Sequence, residues 1–238
     1  MNDLYLDALA KLGVGGAHPG GLMLTKKLLT NEEMNEKTVF LDGGCGTGQT
    51  AAYVSHYFGS SVTAIDINQT MVDKAKTRFD AWNVPVHLLK GSIEDLPFEK
   101  NTFDVITSES VIAFSNAAKS VSEFRRVLKN HGVLLAIEMV LEKSMNDNDV
   151  RALRNFYGIN RFWTSKEWVQ MFQDAGFAQI QVTKYEQQFD PNDVDNAADF
   201  TLSDQLNDQL FDAIIQHEHY MEKYKDILGF RIFRCSKV

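Results

Sequence analysis

Thr38-Val39-Phe40-Leu41-Asp42-Gly43-Gly44-Cys45-Gly46-Thr47-Gly48-Gln49-Thr50 joins a short apolar run to an acid and then to glycines at every second position from Gly44 to Gly48. Val39, Phe40 and Leu41 are β-branched and bulky, too few for a helix and stopped abruptly, which predicts a buried parallel strand. The glycines then form a strand-to-helix turn, where a missing Cβ permits positive φ and lets a ligand approach the backbone. Gln49 to Phe58 continues as a helix, and its free N–H groups face whatever sits on the turn. A small nucleoside-type cofactor is the expected occupant.

What the turn lacks narrows the cofactor. The dinucleotide fingerprint G-x-G-x-x-G, started at Gly44, finds Gly46 and then Gln49 where its third glycine belongs. A phosphate-binding loop ends in Gly-Lys-Ser/Thr, whereas Gly48 is followed by Gln49 and Thr50. The pattern Asp-x-Gly-x-Gly-x-Gly beginning at Asp42 instead resembles motif I of the class I S-adenosylmethionine-dependent methyltransferases. Gly43 is a departure, since that family usually carries a bulkier apolar residue there.

The next segments continue the resemblance in order. Val62-Thr63-Ala64-Ile65-Asp66 is a second apolar strand ending in an acid, about 20 residues beyond the turn, near the offset of a ribose-binding carboxylate. Asn68 to Val72 opens a helix, and Met71 is similar to the family's apolar contact to adenine. Val86 to Leu89 is a third strand, leading into Gly91-Ser92-Ile93-Glu94-Asp95-Leu96-Pro97-Phe98. This resembles Gly-Asp-Ala-x-x-Leu-Pro-Phe, with Ser92 in place of the acid that accepts the adenine amino group, leaving the Ile93 N–H to address the ring. Phe103 to Ser108, then Glu109-Ser110-Val111, match the motif beside the methionine end of the cofactor. The resemblance therefore implies S-adenosyl-L-methionine, with S-adenosyl-L-homocysteine as product, held by Asp42, Gly44, Cys45, Gly46, Asp66, Ile67, Met71, Ser92, Ile93 and Glu109.

Ser122 to Leu128 reads as a helix, and Asn130-His131-Gly132 as a turn resembling the family's Leu-Lys-Pro-Gly-Gly, without its proline and one glycine. A fifth strand runs from Val133 to Glu138. Strands alternating with helices predict a Rossmann-like α/β fold with helices on both faces, ligands sitting at the carboxyl ends of the strands. Thr164 to Phe177 begins with a capping box of Thr164 and Glu167 and carries Trp168 and Phe172 as a core pair. It is similar to the family's helix before strand six, here about 178–185, with strand seven at about 229–237. Together these imply a seven-stranded, mostly parallel sheet with an antiparallel last strand and a small helical lid.

The chain ends are expected to choose the substrate. Tyr5, Ala8, Leu9 and Leu12 share one helical face; a glycine-dense break from Gly13 to Gly21 follows, then a helix from Leu22 to Leu29. Such a stretch resembles the amino-terminal gate of small-molecule methyltransferases, and His18 is the candidate there for contacting substrate or the cofactor carboxylate. The organisation expected is a helical gate at 1–36 and a cofactor-binding domain at 37–238, with an insertion at about 190–226. Within the insertion, 192–198 reads as polar loop and Leu206, Leu210, Ile214 and Met221 as a helix. Arg154 to Trp163, rich in aromatics, either lines the acceptor pocket or packs a lid onto the sheet. His217 and His219 lie on different helix faces, so no metal is expected.

Composition agrees with this reading. At 238 residues one α/β domain with a lid suffices. A formal charge of −8 disfavours nucleic acid; the cluster Arg125, Arg126 and Lys129 falls late in a helix, where it complements the dipole. Two cysteines, one inside the turn, imply no disulfide framework, and no apolar run nears the ~20 residues that span a bilayer. A cytoplasmic monomer or homodimer acting on a small-molecule acceptor is expected, with Glu109 and His18 as candidate catalytic bases. A non-catalytic S-adenosylmethionine sensor or scaffold would carry the same turn.

Overall fold

The computed structural model describes residues 4–185, 199–204 and 206–238. Its centre is a seven-stranded sheet in the order β4-β3-β2-β5-β6-β9-β7, formed by β2 (Val39–Gly43), β3 (Ser61–Asp66), β4 (Val86–Lys90), β5 (Phe103–Glu109), β6 (Leu128–Leu141), β7 (Gln179–Thr183) and β9 (Leu228–Ser236). The first five are mutually parallel, and β9 runs antiparallel to both β6 and β7. This is the mostly parallel, Rossmann-like arrangement with an antiparallel last strand that the sequence implies.

Alternation along β2 explains why helices cover both faces. Phe40 is fully buried with Ala51, Val54, Ala75 and Phe79, from α3 (Gln49–Phe58) and α4 (Gln69–Trp82). Its neighbour Leu41 points the other way, into Phe103, Phe124, Trp168, Phe172 and Phe233, under α5 (Ala117–Val127) and α7 (Ser165–Asp174). Trp168 and Phe172 stack at 6.0 Å between ring centroids. The Thr164–Glu167 capping box is formed in both directions.

Two elements differ from the sequence reading. The strand expected from Val133 begins at Leu128, because 130–132 form an irregularity within β6 and not a separate turn: partners jump from Phe103↔Leu128 to Val105↔Val133. A helix α6 (Asp147–Tyr157) also leads into the aromatic segment and takes in its first four residues, capped by the Asn146 side chain accepting from the Asp149 N–H. The basic cluster serves the fold: Arg126 donates to the carbonyls of Leu96 and Phe98 and pairs with Glu123, while Lys129 pairs with Asp104.

Over the carboxyl ends of the strands lie α1 (Leu4–Leu12), the two-residue β1 (Val14–Gly15) and α2 (Gly21–Leu29). β1 pairs with the equally short β8 (Asp199–Phe200), and α8 (Asp208–Lys223) packs on α1 through Ala8, Leu210 and Ala213. The expected helix in the insertion is therefore present; the expected loop at 192–198 lies outside the described residues. Tyr157 of the 154–163 segment is buried against Tyr5 and His217, so this segment packs the lid.

Candidate functional site

β2 and β5 are adjacent, while the chain leaves β2 toward β3 on one side and reaches β6 beyond β5 on the other. Ligands in open α/β sheets bind at such a reversal, outside the carboxyl ends. A cavity of about 280 Å³ opens there, near the lower end of the usual range for ligand pockets. Every residue named above as a cofactor or catalytic candidate lines it: His18, Asp42, Gly44, Cys45, Gly46, Asp66, Ile67, Met71, Ser92, Ile93 and Glu109.

The glycine turn needs its glycines for two distinct reasons. Gly44 has φ +84°, and a Cβ there would lie 2.4 Å from Val111 Cγ1, so the turn is packed against the loop after β5. Gly46 has φ +52° and nothing within 4 Å of the equivalent point; its open side faces the cavity. That space is what close approach of a ligand to the backbone requires.

Asp42 braces the turn from behind. One carboxylate oxygen accepts the Ala51 N–H at 3.1 Å, in the first turn of α3, and the other accepts the Thr107 hydroxyl at 3.3 Å. Burial, reinforced by the negative charge of Glu109, pushes its carboxyl well above the usual range. Asp66 ties β3 to the turn: its oxygens accept the Gly46 N–H at 2.9 Å and the Asn68 N–H at 2.8 Å. Each keeps a lone pair for a ligand hydroxyl. Burial raises this carboxyl too, against the opposing pull of those N–H groups. Asn68 caps α4, which presents Met71 to the cavity beside Ile67, 69% exposed and free to cover a planar ring. Ser92 accepts the Glu94 N–H at 3.1 Å, fixing the loop that carries Ile93. Burial raises the Cys45 thiol above its ordinary value, which favours the neutral thiol over the thiolate.

Glu109, at the end of β5, is the convergence point that the sequence does not reveal. Its oxygens accept hydroxyls from Thr25 at 2.6 Å and Thr50 at 2.7 Å, and His18 Nε2 stands 3.7 Å away and 3.2 Å from Thr25 Oγ1. The apolar part of the lining is Leu6 and Leu9 of α1, Val14, Val111 and Phe114. The 154–163 segment does not contribute to this wall. His217, read as no metal ligand, has its Nδ1 2.9 Å from the Tyr157 hydroxyl.

Fold and site together define a Rossmann-like enzyme class that holds a nucleoside cofactor on a glycine turn. A methyltransferase-domain family model matches residues 41–136. The chain is 34% identical over 236 residues to the uncharacterized methyltransferase YodH of Bacillus subtilis (strain 168), covering 98% of this chain and 99% of that one. It thus belongs to the S-adenosylmethionine-dependent methyltransferases, enzymes whose cofactor is S-adenosylmethionine. Solved structures agree on the fold. MccD superposes with a TM-score of 0.73 at 20% identity, over 94% of this chain and all of that one. Haemonchus contortus phosphoethanolamine N-methyltransferase 2, in complex with phosphomonomethylethanolamine and S-adenosylhomocysteine, gives 0.76 at 19% identity, over 99% of this chain and 57% of that one. Among the described residues no helix is long and apolar enough to cross a membrane.

Proposed function

We propose that this enzyme transfers the cofactor's methyl group to a small molecule held under the amino-terminal lid, by in-line displacement. The single observation that carries this reading is the cavity's make-up: Asp66, Ile67 and Met71 follow β3, Glu109 ends β5 beside His18, and Leu6, Leu9, Val14, Val111 and Phe114 supply an apolar part of the same lining. The first group suits a ribose and adenine, with Ser92 and the Ile93 N–H toward the ring edge. The glycine turn suits the methionine portion, with Asp42 bracing the turn.

S-adenosylmethionine supplies an electrophilic methyl on a sulfonium whose departure as a thioether needs no acid. The chain's own task is to align the acceptor and exclude water, and positioning of that kind contributes about 7–11 kcal/mol. For an acceptor bearing a proton on its nucleophilic atom, Glu109 and His18 are the groups placed to accept it. Residues 1–36 serve as the gate and residues 37–238 as the cofactor-binding domain, with a helical insertion at about 190–226.

Calorimetric titration with S-adenosylmethionine and S-adenosylhomocysteine tests the binding half: both bind, and Asp66→Ala weakens both at least tenfold. No binding of either at millimolar concentration defeats the reading, and unchanged affinity in Asp66→Ala rejects the ribose assignment. Release of S-adenosylhomocysteine with any acceptor from a panel of amines, phenols, carboxylates and quinols separates this enzyme from a cofactor-binding sensor.

A further inference from the structure

We infer that the acceptor is an amine on an apolar body, its nitrogen seated at Glu109, and that anionic acceptors are rejected; this rests on the methyltransferase function proposed above. The Glu109 side chain is only 10% exposed and its hydrogen-bond partners are the neutral hydroxyls of Thr25 and Thr50. At 3.7 Å the His18 ring nitrogen is beyond hydrogen-bond distance and forms an ion pair with the carboxylate only in its protonated form. One of the two donors that fix the carboxylate, Thr25, belongs to the lid and not to the cofactor turn, and His18 stands 3.2 Å from its hydroxyl. Each oxygen has taken one hydroxyl and retains a second lone pair. An enclosed carboxylate held by neutral donors gains most from a cationic donor, and an ammonium N–H is the compact form of one.

The remaining wall points the same way. None of the described residues lining the cavity is lysine or arginine; its ionisable members are Asp42, Asp66, Glu94, Glu109, Cys45 and His18. The undescribed segments 1–3 and 186–198 and residue 205 contain no lysine or arginine either. Lys74 and Arg78 of α4 are committed elsewhere: Lys74 donates to the carbonyls of Lys11 and Thr201, and Arg78 to the Thr47 carbonyl and to Asp199. A phosphate or carboxylate entering beside Glu109 meets like charge and no fork of donors. The body of the acceptor meets Leu6, Leu9, Val14, Val111 and Phe114.

The chemistry balances. The ammonium passes one proton to a Glu109 oxygen, and the freed nitrogen lone pair forms the new N–C bond to the methyl carbon. The C–S electron pair returns to sulfur, the product leaves as a methylated ammonium, and the Glu109 carboxylic acid returns its proton to solvent.

The test uses the full chain with saturating S-adenosylmethionine and matched probes on benzyl and naphthylmethyl bodies, each as amine, alcohol, carboxylate and phosphate, reading release of S-adenosylhomocysteine. An amine is expected to show kcat/KM at least tenfold above its alcohol, carboxylate and phosphate counterparts. Glu109→Gln should lower that value at least a hundredfold while S-adenosylhomocysteine affinity stays within threefold. The inference is overturned if cofactor binds and no amine reacts, or if an alcohol or anionic probe matches its amine. A tenfold loss of S-adenosylhomocysteine affinity in Glu109→Gln also overturns it, since the carboxylate then serves the cofactor. Failure of the unmodified protein to bind S-adenosylhomocysteine defeats the underlying function instead, and the inference with it.

Discussion

Replacing Glu138 with glutamine should change the pH dependence of stability more than stability itself. Glu138 sits on β6 with no exposed surface, and its carboxylate accepts the N–H groups of Ile112 at 2.9 Å and of Val111 and Ala113 at 3.3 Å. These open the 3₁₀ turn Ile112–Phe114, so one buried acid fixes the loop that puts Val111 and Phe114 into the cavity. Burial pushes the carboxyl from its ordinary 4.5 up to about 8, overriding the three N–H groups that favour the charged form. The folded value lies above the unfolded one, so the contribution is whole below pH 4.5 and is lost as pH rises toward 8, the unfolded chain ionising first. At 1.36 kcal/mol per pH unit this loss comes to about 5 kcal/mol, an upper figure. Glutamine keeps the shape and one acceptor oxygen but turns an NH₂ toward one N–H; leaving that donor unsatisfied costs about 1–3 kcal/mol. Glu138→Gln is therefore less stable than the parent at acid pH, more stable near pH 8, and equal to it somewhere between about pH 5 and 7. Urea unfolding of both proteins from pH 5 to 8.5 measures this. The other buried acids, Asp42 and Asp66, cancel in the difference. A stability difference that stays constant across that range refutes the reasoning.

Two further substitutions separate packing from ligand space in the glycine turn. Both Gly44→Ala and Gly46→Ala pay about 1–2 kcal/mol for a left-handed backbone, but only Gly44→Ala drives a methyl into Val111, adding about 1–3 kcal/mol. Thermal denaturation should show the larger loss for Gly44→Ala, and calorimetry a weakened S-adenosylhomocysteine site in Gly46→Ala; equal losses of stability contradict this. On the lid, burial holds His217 below its ordinary 6.5, with Glu218 opposing, while burial pushes the Tyr5 hydroxyl beside it up to about 12 and raises Tyr157 as well. The folded value lies below the unfolded one, so this stability is present above pH 6.5 and is lost as pH falls from there through the lower folded value. Hydrogen exchange of residues 4–12 should speed up between pH 7 and 5 beyond its intrinsic pH dependence, and His217→Gln should abolish that excess; the same pH response in both proteins rejects the lid assignment.

The cofactor side of the site was legible because its parts are local. Asp42, the glycines and Gln49 lie in one short stretch of sequence; Asp66 ends one short strand and Ile93 lies three residues beyond another, and strand order alone brings these ends together. Glu109 was legible as a position but not as an environment. Its partners Thr25 and Thr50 lie 84 and 59 residues away, and a threonine within a helix carries no sign of a distant acid. The Glu138 clamp is hidden for the same reason, 26 residues from Ile112. The Asn146 cap with acids in its first turn does mark the start of α6, a signal available but unread beside the more conspicuous aromatics. Those aromatics could not be assigned from sequence, since ring type does not tell a pocket wall from a lid buttress. What decides is α1, whose Tyr5 sits edge-on to Tyr157 at 5.1 Å.

This division has a physical consequence for how such an enzyme changes its acceptor. The proposed cofactor contacts sit at the ends of the parallel strands β2, β3 and β4, whose registers are set within the sheet, so shifting one of them disturbs it. The proposed acceptor wall is assembled from pieces attached outside that sheet: Leu6 and Leu9 on α1, Val14 on a two-residue strand, Val111 and Phe114 on a short turn clamped by Glu138. α1 rests on α8 through small residues, Ala8 and Ala213, with Leu210 between. Altering that helix pair moves Leu6 and Leu9 without touching β2 or β3, so acceptor choice can change while the glycine turn and Asp66 stay fixed. Ala213→Leu at that contact should accordingly alter acceptor turnover while leaving S-adenosylhomocysteine affinity nearly intact, because Ala213 packs with Ala8 and Leu210 and with no residue on the cofactor side of the cavity.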